Sequence, residues 1–283
     1  MSIADFKSRT KKIKKRVTSK FQFLFFIISR WRQYILLRNN IIVVFTMGKV
    51  GSSTIYHNLK EMAPYLDIFH LHFLTDEGVA DAEIINGESY GRHIADTVKK
   101  TIALNPNKIV KVITMVRDPV ARDASDFFQN FERDFKEVNI YDESTENLLK
   151  SFEDFDSDYT LEWLDKEMKG FFKIDVFERQ FDFANKFQIF EKGKNQLLIL
   201  RLEDAQDVVE TALNLFLGVA FSNFSKVNVG ESKSYSPVYK EFKNSLKLSP
   251  EKIKKIYSSK YAQHFYQKNE IAKFISKWSR SLP

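Results

Sequence analysis

Lys49 stands between two glycines in Gly48-Lys49-Val50-Gly51, and Ser52, Ser53 and Thr54 follow at once. A full positive charge, glycines that let the backbone approach closely and a run of hydroxyl donors suit a phosphate or sulfate group. Arg117 and Ser125 are eight residues apart in RDPVARDAS, about two turns if a helix starts at Pro119, so they could share a second phosphate. His70 and His72 alternate in LDIFHLHF (66–73), and imidazole is the side chain that titrates nearest neutral pH. Two anion grips and a base suit the transfer of an anionic group to a hydroxyl, which is a poor nucleophile until its proton is taken.

The elements that must carry these residues are legible in the hydrophobic pattern. Residues 41–46 are an apolar, β-branched strand that ends at the glycine-bracketed lysine, and a helical pattern opens at Ser52. Loop N–H groups and the positive end of the helix dipole then point at one spot. A second strand, 109–116, runs into Arg117-Asp118-Pro119, where Pro119 fits a first helical turn and Asp118 an N-cap. Val120, Ala124, Phe127, Phe128, Phe131 and Phe135 recur at helical spacing and mark its core face. A strand at 66–72 puts His70 and His72 on one face. A strand at 196–201 precedes Glu203 and Asp204, which suit a helix start. Helical patterns at 52–63, 90–104, 119–135 and 203–217 alternate with the strands. The fold expected is therefore α/β, a central parallel sheet with helices on both faces. Residues 140–195 read as a helix-rich insertion that shapes an acceptor pocket, and the C-terminal residues add helices, with Phe265, Ile271, Phe274 and Trp278 as a core stripe.

Several function classes drop out. A triphosphatase loop places its lysine after the second glycine, whereas Lys49 precedes Gly51. Gly51-Ser52 lacks the flanking pattern of a serine-hydrolase elbow. Cysteine is absent, which fits a reducing cytoplasm, and the five histidines form no metal-ligand motif. Residues 1–40 hold eleven Lys or Arg against Asp5 alone, a charge of +10 that leaves −3 on residues 41–283. A nucleic-acid enzyme would spread basic residues over its working face instead. Residues 1–40 thus read as a basic leader and 41–283 as one domain. Within the leader Phe21, Leu24, Phe25, Ile28, Trp31 and Ile35 form an amphipathic stripe that suits an anionic membrane surface or docking on the domain. It is too short in apolar length to span a membrane. The localisation expected is cytoplasmic, with peripheral attachment to the inner membrane face if the leader engages lipid.

Residues 48–54 are similar to the 5′-phosphosulfate loop of sulfotransferases, P-K-x-G-[ST]-[ST], with Gly48 where proline is common. R-D-P-x-x-R-x-x-S at 117–125 resembles the 3′-phosphate motif of the same superfamily, with Arg122 as its interior arginine. LRLED at 200–204 is similar to a later signature, with Leu202 in place of a tyrosine, and the His70–His72 pair resembles the H-x-H segment of uronosyl 2-O-sulfotransferases. The C-terminal third, with Lys233, Tyr235, Tyr239, Tyr261, His264, Phe265, Tyr266, Glu270, Ile271 and Trp278, resembles bacterial capsular polysaccharide synthesis proteins. The resemblance implies a P-loop-like sheet and 3′-phosphoadenosine 5′-phosphosulfate (PAPS) as co-substrate, with no metal. It assigns Lys49, Val50, Gly51, Ser52, Ser53 and Thr54 to the phosphosulfate and Arg117 and Ser125 to the 3′-phosphate. His72 becomes the base, with His70 and Glu77 as alternatives, and Lys49 also acts catalytically on the leaving charge. The acceptor implied is a saccharide hydroxyl in capsular or other surface polysaccharide synthesis. An atypical kinase and a non-catalytic glycan-binding relative are the competing readings. The loop 226–240 has the polar, lysine-bearing character of a flap over the nucleotide.

Overall fold

The computed structural model describes residues 28, 31, 34–87, 91–135, 138–219 and 236–279. Ile41–Phe45 in strand β1 (Asn40–Phe45) are all buried. Successive strand side chains point to opposite faces, so five buried in a row mean that both faces are covered. The same holds for the five residues 112–116 in β3 (Ile109–Val116) and for 197–201 in β5 (Asn195–Arg201). Strands β2 (Ile68–Leu71) and β4 (Phe187–Lys192) are the edges of the sheet, whose order is β2-β1-β3-β5-β4. The first four run parallel, and β4 pairs antiparallel with β5.

That edge corrects the expectation of a wholly parallel sheet. β4 falls in the stretch read as a helical insertion, because Phe190 breaks the alternation that Phe187 and Ile189 begin and two of its six residues are exposed. A tight turn with Gly193 at φ +58° returns the chain into β5.

The expected helices appear as α1 (Ser52–Met62), α3 (Arg92–Leu104), α4 (Pro119–Asp134) and α7 (Leu202–Leu217). Helix α2 (Asp76–Asn86) was not legible: only Val79 and Ala82 are buried, while Ile84 and Ile85 face solvent and blur the apolar stripe. The insertion holds α5 (Thr145–Glu153) and α6 (Asp158–Trp163), which continues as a π-helical stretch, Leu164–Phe172. The C-terminal helices are α8 (Ser236–Ser245), α9 (Pro250–Tyr257), α10 (Lys260–Phe265) and α11 (Lys268–Trp278). The predicted α4 face is buried at Val120, Ala124, Phe127, Phe128 and Phe131, and Phe135 packs against it. Phe265, Ile271 and Trp278 are likewise core.

Phe45 lies level with Leu71, and Val44 with Ile113, so the loops after β1, β2 and β3 leave the same end of the sheet. From β1 the chain moves to β2 on one side; from β3 it moves toward β5 on the other. Connections that diverge in this way open a crevice between the carboxyl ends of β1 and β3.

Most of the leader, 1–27 with 29, 30, 32 and 33, lies outside the described residues, as do 220–235 with Lys233 and Tyr235. Of the predicted stripe, Ile28 and Trp31 are exposed, and residues 236–240 of the predicted flap are the first turns of α8. Among the described residues no helix is long and apolar enough to cross a membrane.

Candidate active site at the carboxyl ends of the strands

The β1–α1 loop is made by backbone conformation. Lys49 (φ +72°) and Gly51 (φ +83°) are both left-handed. A Cβ at Gly51 would lie 2.8 Å from Leu202 Cδ1, a side-chain tip that would have to shift, so it is chiefly the left-handed torsion that calls for glycine there. The Gly48 carbonyl accepts Arg122 Nε at 3.1 Å, and the Lys49 carbonyl accepts Arg117 Nη1 at 3.0 Å. In a trans peptide the following N–H points opposite to the carbonyl. Two inward-facing carbonyls therefore turn the N–H groups of Lys49 and Val50 away from the guanidinium groups. α1 begins directly afterwards, with no side-chain cap at Gly51. The Thr54 N–H donates back to the Gly51 carbonyl at 3.2 Å, while the N–H groups of Ser52 and Ser53 and the positive end of the dipole suit an anion.

The predicted loop residues divide by burial. The Val50 side chain is fully buried, which leaves its backbone for ligand contact. Ser52 is buried with its hydroxyl 2.9 Å from His70 Nε2, while Ser53 and Thr54 are half-buried. The Lys49 ammonium donates to the Gln129 side chain on α4. Ser125, half-buried, is one turn earlier on that helix. The lysine loop and the serine-bearing face of α4 thus meet.

The turn after β3 has a different construction. Asp118 occupies the N-cap position of α4, but its side chain makes no cap hydrogen bond. Its buried carboxylate instead accepts Tyr257 Oη at 2.7 Å and Trp278 Nε1 at 2.8 Å. This corrects the capping role expected for it: two long-range donors outcompete the local N–H. Burial still pushes the Asp118 pKa up, with Tyr257 and Trp278 opposing the rise. The Asp118 N–H donates to Glu203 Oε1 at 2.8 Å, so the carboxylate read as a dipole partner for α7 also anchors this turn. Tyr261 Oη accepts from the Arg117 N–H (3.0 Å) and donates to its carbonyl (2.9 Å). Lys243 on α8 shares this electrostatic environment: burial first, then Arg117 and Lys277, pull its pKa below the ordinary lysine range.

His72 follows β2 directly. Its Nδ1 is 2.6 Å from the Thr46 carbonyl, which can only accept, so Nδ1 carries the proton and Nε2 presents a lone pair. Burial, then Arg122 and Lys49, lower its pKa, while Thr46 and Asp126 act the other way. The imidazole is therefore neutral near pH 7 and base-competent. Trp163 Nε1 holds the His72 carbonyl at 2.9 Å. The His70 and His72 rings are 5.3 Å apart, on the same face as expected. His70 is pushed down to about 4 by burial and by His72 and His57, and its Nε2 is engaged by Ser52. Glu77 is exposed in the first turn of α2.

Sequence reasoning named Arg122 only as the motif's interior arginine and passed over the rest of the buried scaffold of this site. Arg122 is 2 % exposed and pairs with Asp123 and Asp126, each at 3.2 Å; it also reaches Thr160 Oγ1 at 3.1 Å and lies over the Tyr159 ring. Burial raises Asp123 to about 6, against the pull of Arg122. The Arg122–Asp126 pair was readable as an i,i+4 ion pair. Nothing local announces Thr160 or Tyr159. Glu167, in the π-helical stretch, accepts the N–H groups of Leu74 (2.8 Å) and Thr75 (3.0 Å), fixing the segment that follows His72. The insertion therefore braces the site rather than merely walling a pocket.

A family model described as "Putative capsular polysaccharide synthesis protein" matches residues 134–267. That is just under half of the chain. The matched stretch runs from the end of α4 through α10, so it contains Glu167, Arg201 and Tyr261 but neither the Lys49 loop nor Arg117. No curated protein and no solved structure matches the chain.

Proposed function

We propose that this chain is a sulfotransferase that moves a sulfuryl group from PAPS to a saccharide hydroxyl in the synthesis of a capsular or other surface polysaccharide. The observation that carries the reading is the 3.0 Å bond from Arg117 Nη1 to the Lys49 carbonyl, which ties the two anion-binding turns together at the crevice between β1 and β3. Lys49, Gly51, Ser53, Thr54 and the backbone of Val50 and Ser52 take the phosphosulfate end. Arg117 and Ser125 take the 3′-phosphate, with Lys243 adding charge beside Arg117. The acceptor hydroxyl gives its proton to His72 Nε2 as its oxygen bonds to sulfur, and the bond from sulfur to the bridging oxygen breaks. Lys49 and the loop N–H groups meet the charge that leaves with adenosine 3′,5′-bisphosphate, where a fixed donor typically lowers the barrier by about 3–4 kcal/mol. His72 is preferred to His70, whose Nε2 is engaged by Ser52, and to Glu77 on the exposed start of α2. The match to a capsular polysaccharide family supports a saccharide as acceptor. The surroundings proposed are cytoplasmic, with the basic leader on an anionic membrane face.

The test begins with thermal melting. Adenosine 3′,5′-bisphosphate without magnesium raises the melting temperature if the reading is correct; a response only to Mg-ATP rejects it in favour of a kinase. His72→Ala then keeps the nucleotide-induced shift and loses about two to four decades of sulfate transfer. Full activity in that variant would move the base elsewhere, to Glu77 or His70.

A further inference from the structure

A second concavity lies among residues that take no part in the proposed transfer. Gln180 and Phe183, ahead of β4, face Gln263, Tyr266, Gln267 and Asn269 from α10 and the start of α11, around a cleft of about 480 Å³. Small-ligand clefts fall in the range of about 300–1,000 Å³. Four of these six residues are carboxamides, each offering a donor and an acceptor in one plane, as adjacent sugar hydroxyls require. Internal bonds orient these amides, Gln180 Nε2 donating to the His264 carbonyl at 3.4 Å. Asn269 Oδ1 accepts the Glu270 N–H at 2.9 Å, leaving its amide N–H groups as donors. Gln263 Nε2 donates to the Tyr257 carbonyl at 2.6 Å, leaving Oε1 as an acceptor.

The aromatic part of the lining is equally fixed. The Arg201 guanidinium lies over Phe183 (5.7 Å) and Tyr266 (5.4 Å), and is itself held by Glu270 and the Phe265 carbonyl, each at 2.9 Å. Among the described residues no carboxylate lines the cleft and Lys268 is its one cation, which disfavours both a metal ion and a polyanion. Gln263 also lines an adjoining groove of about 460 Å³, whose apolar wall includes Ile253, Tyr257, Ile271 and Ile275. Together they give room for a chain rather than a single sugar.

We propose that this cleft binds a saccharide chain at a place separate from the transfer crevice. The inference does not depend on sulfuryl transfer, so failure of the nucleotide test leaves it standing. The full-length protein is applied to an array of neutral, uronate-containing and sulfated oligosaccharides, and a captured hexasaccharide is titrated by calorimetry. Gln180→Ala with Asn269→Ala, both at exposed positions, weakens binding by about tenfold or more without changing the melting temperature. Lys49→Ala leaves that affinity as it was. If the double alanine variant melts early, Gln180→Glu with Asn269→Asp replaces it under the same criterion. An array with no capture, an unchanged affinity in the cleft variant, or a loss in Lys49→Ala overturns the proposal.

Discussion

The two turns that meet at the Arg117–Lys49 contact are neighbours in space but opposite in construction. The loop after β1 takes its shape from its own residues, with left-handed Lys49 and Gly51 and a helix start that follows at once. The turn after β3 takes its shape from elsewhere. Its N–H groups, carbonyl and carboxylate are held by Glu203, Tyr257, Tyr261 and Trp278, between 85 and 160 residues away in sequence. A motif built from local torsion tolerates change around it, whereas one built from distant donors fails when the distant element shifts. The C-terminal helices, remote in sequence from both turns, thereby hold the backbone from which Arg117 extends.

The sharpest way to break this contrast is Arg122→Ala, which strips the first loop of one of its two long-range carbonyl contacts and leaves the one from Arg117. It leaves Asp123 buried without its partner and the Gly48 carbonyl without its donor, at a cost of about 3–5 kcal/mol in chemical denaturation. A loss below 1 kcal/mol would mean that the loop does not depend on Arg122. The second turn is tested by Tyr257→Phe and Trp278→Phe, each removing one donor to Asp118. About 1–3 kcal/mol is expected from each, together with weaker adenosine 3′,5′-bisphosphate binding in calorimetry. Unchanged nucleotide affinity in both would uncouple the C-terminal helices from Arg117.

Gly51→Ala probes the local half at about 1–2 kcal/mol, from left-handed torsion and the contact with Leu202. Adding Leu202→Ala relieves the contact but not the torsion, so rescue should be partial; complete rescue in a melting experiment would assign the whole cost to packing. The smallest signal is a slope. His70 has a folded pKa near 4, below its value in the unfolded chain of about 6.5. Between those values the unfolded chain binds more protons, so the His70 contribution to stability is present above pH 6.5 and is lost as pH falls toward 4. From pH 7 to 6 this amounts to less than about 1 kcal/mol. Asp123, raised to about 6, has the opposite sign: its contribution declines as pH rises from 3.8 to 6. His70→Gln should therefore remove the acid-side loss and leave the Asp123 trend, and an unaltered pH profile would show that His70 is not desolvated as described.

What could be read in the chain and what could not follow the same division. Strands β1, β3 and β5 announce themselves because residues covered on both faces must be continuously apolar, and Pro119 and Gly51 mark their neighbours through fixed torsions. The His70–His72 face follows from strand alternation alone. β4 and α2 stay hidden because partial exposure at an edge or on a surface leaves no clean period. Asp118 misleads for a related reason: an aspartate before Pro119 looks like a cap until Tyr257 and Trp278 offer its carboxylate better donors.

The amino-acid sequence by itself thus determined strands β1, β2, β3 and β5, helices α1, α3, α4 and α7, the lysine–glycine loop and the arginine–serine spacing. Each is a matter of local torsion or of side chains a few residues apart. Only the tertiary structure decided that Arg117 grips the Lys49 carbonyl, that His72 carries its proton on Nδ1, and that Glu167 and Arg122 brace the loops. Those outcomes depend on which buried polar groups find partners once the chain is closed, and a buried donor or acceptor takes the partner nearest in space, however far along the chain it lies.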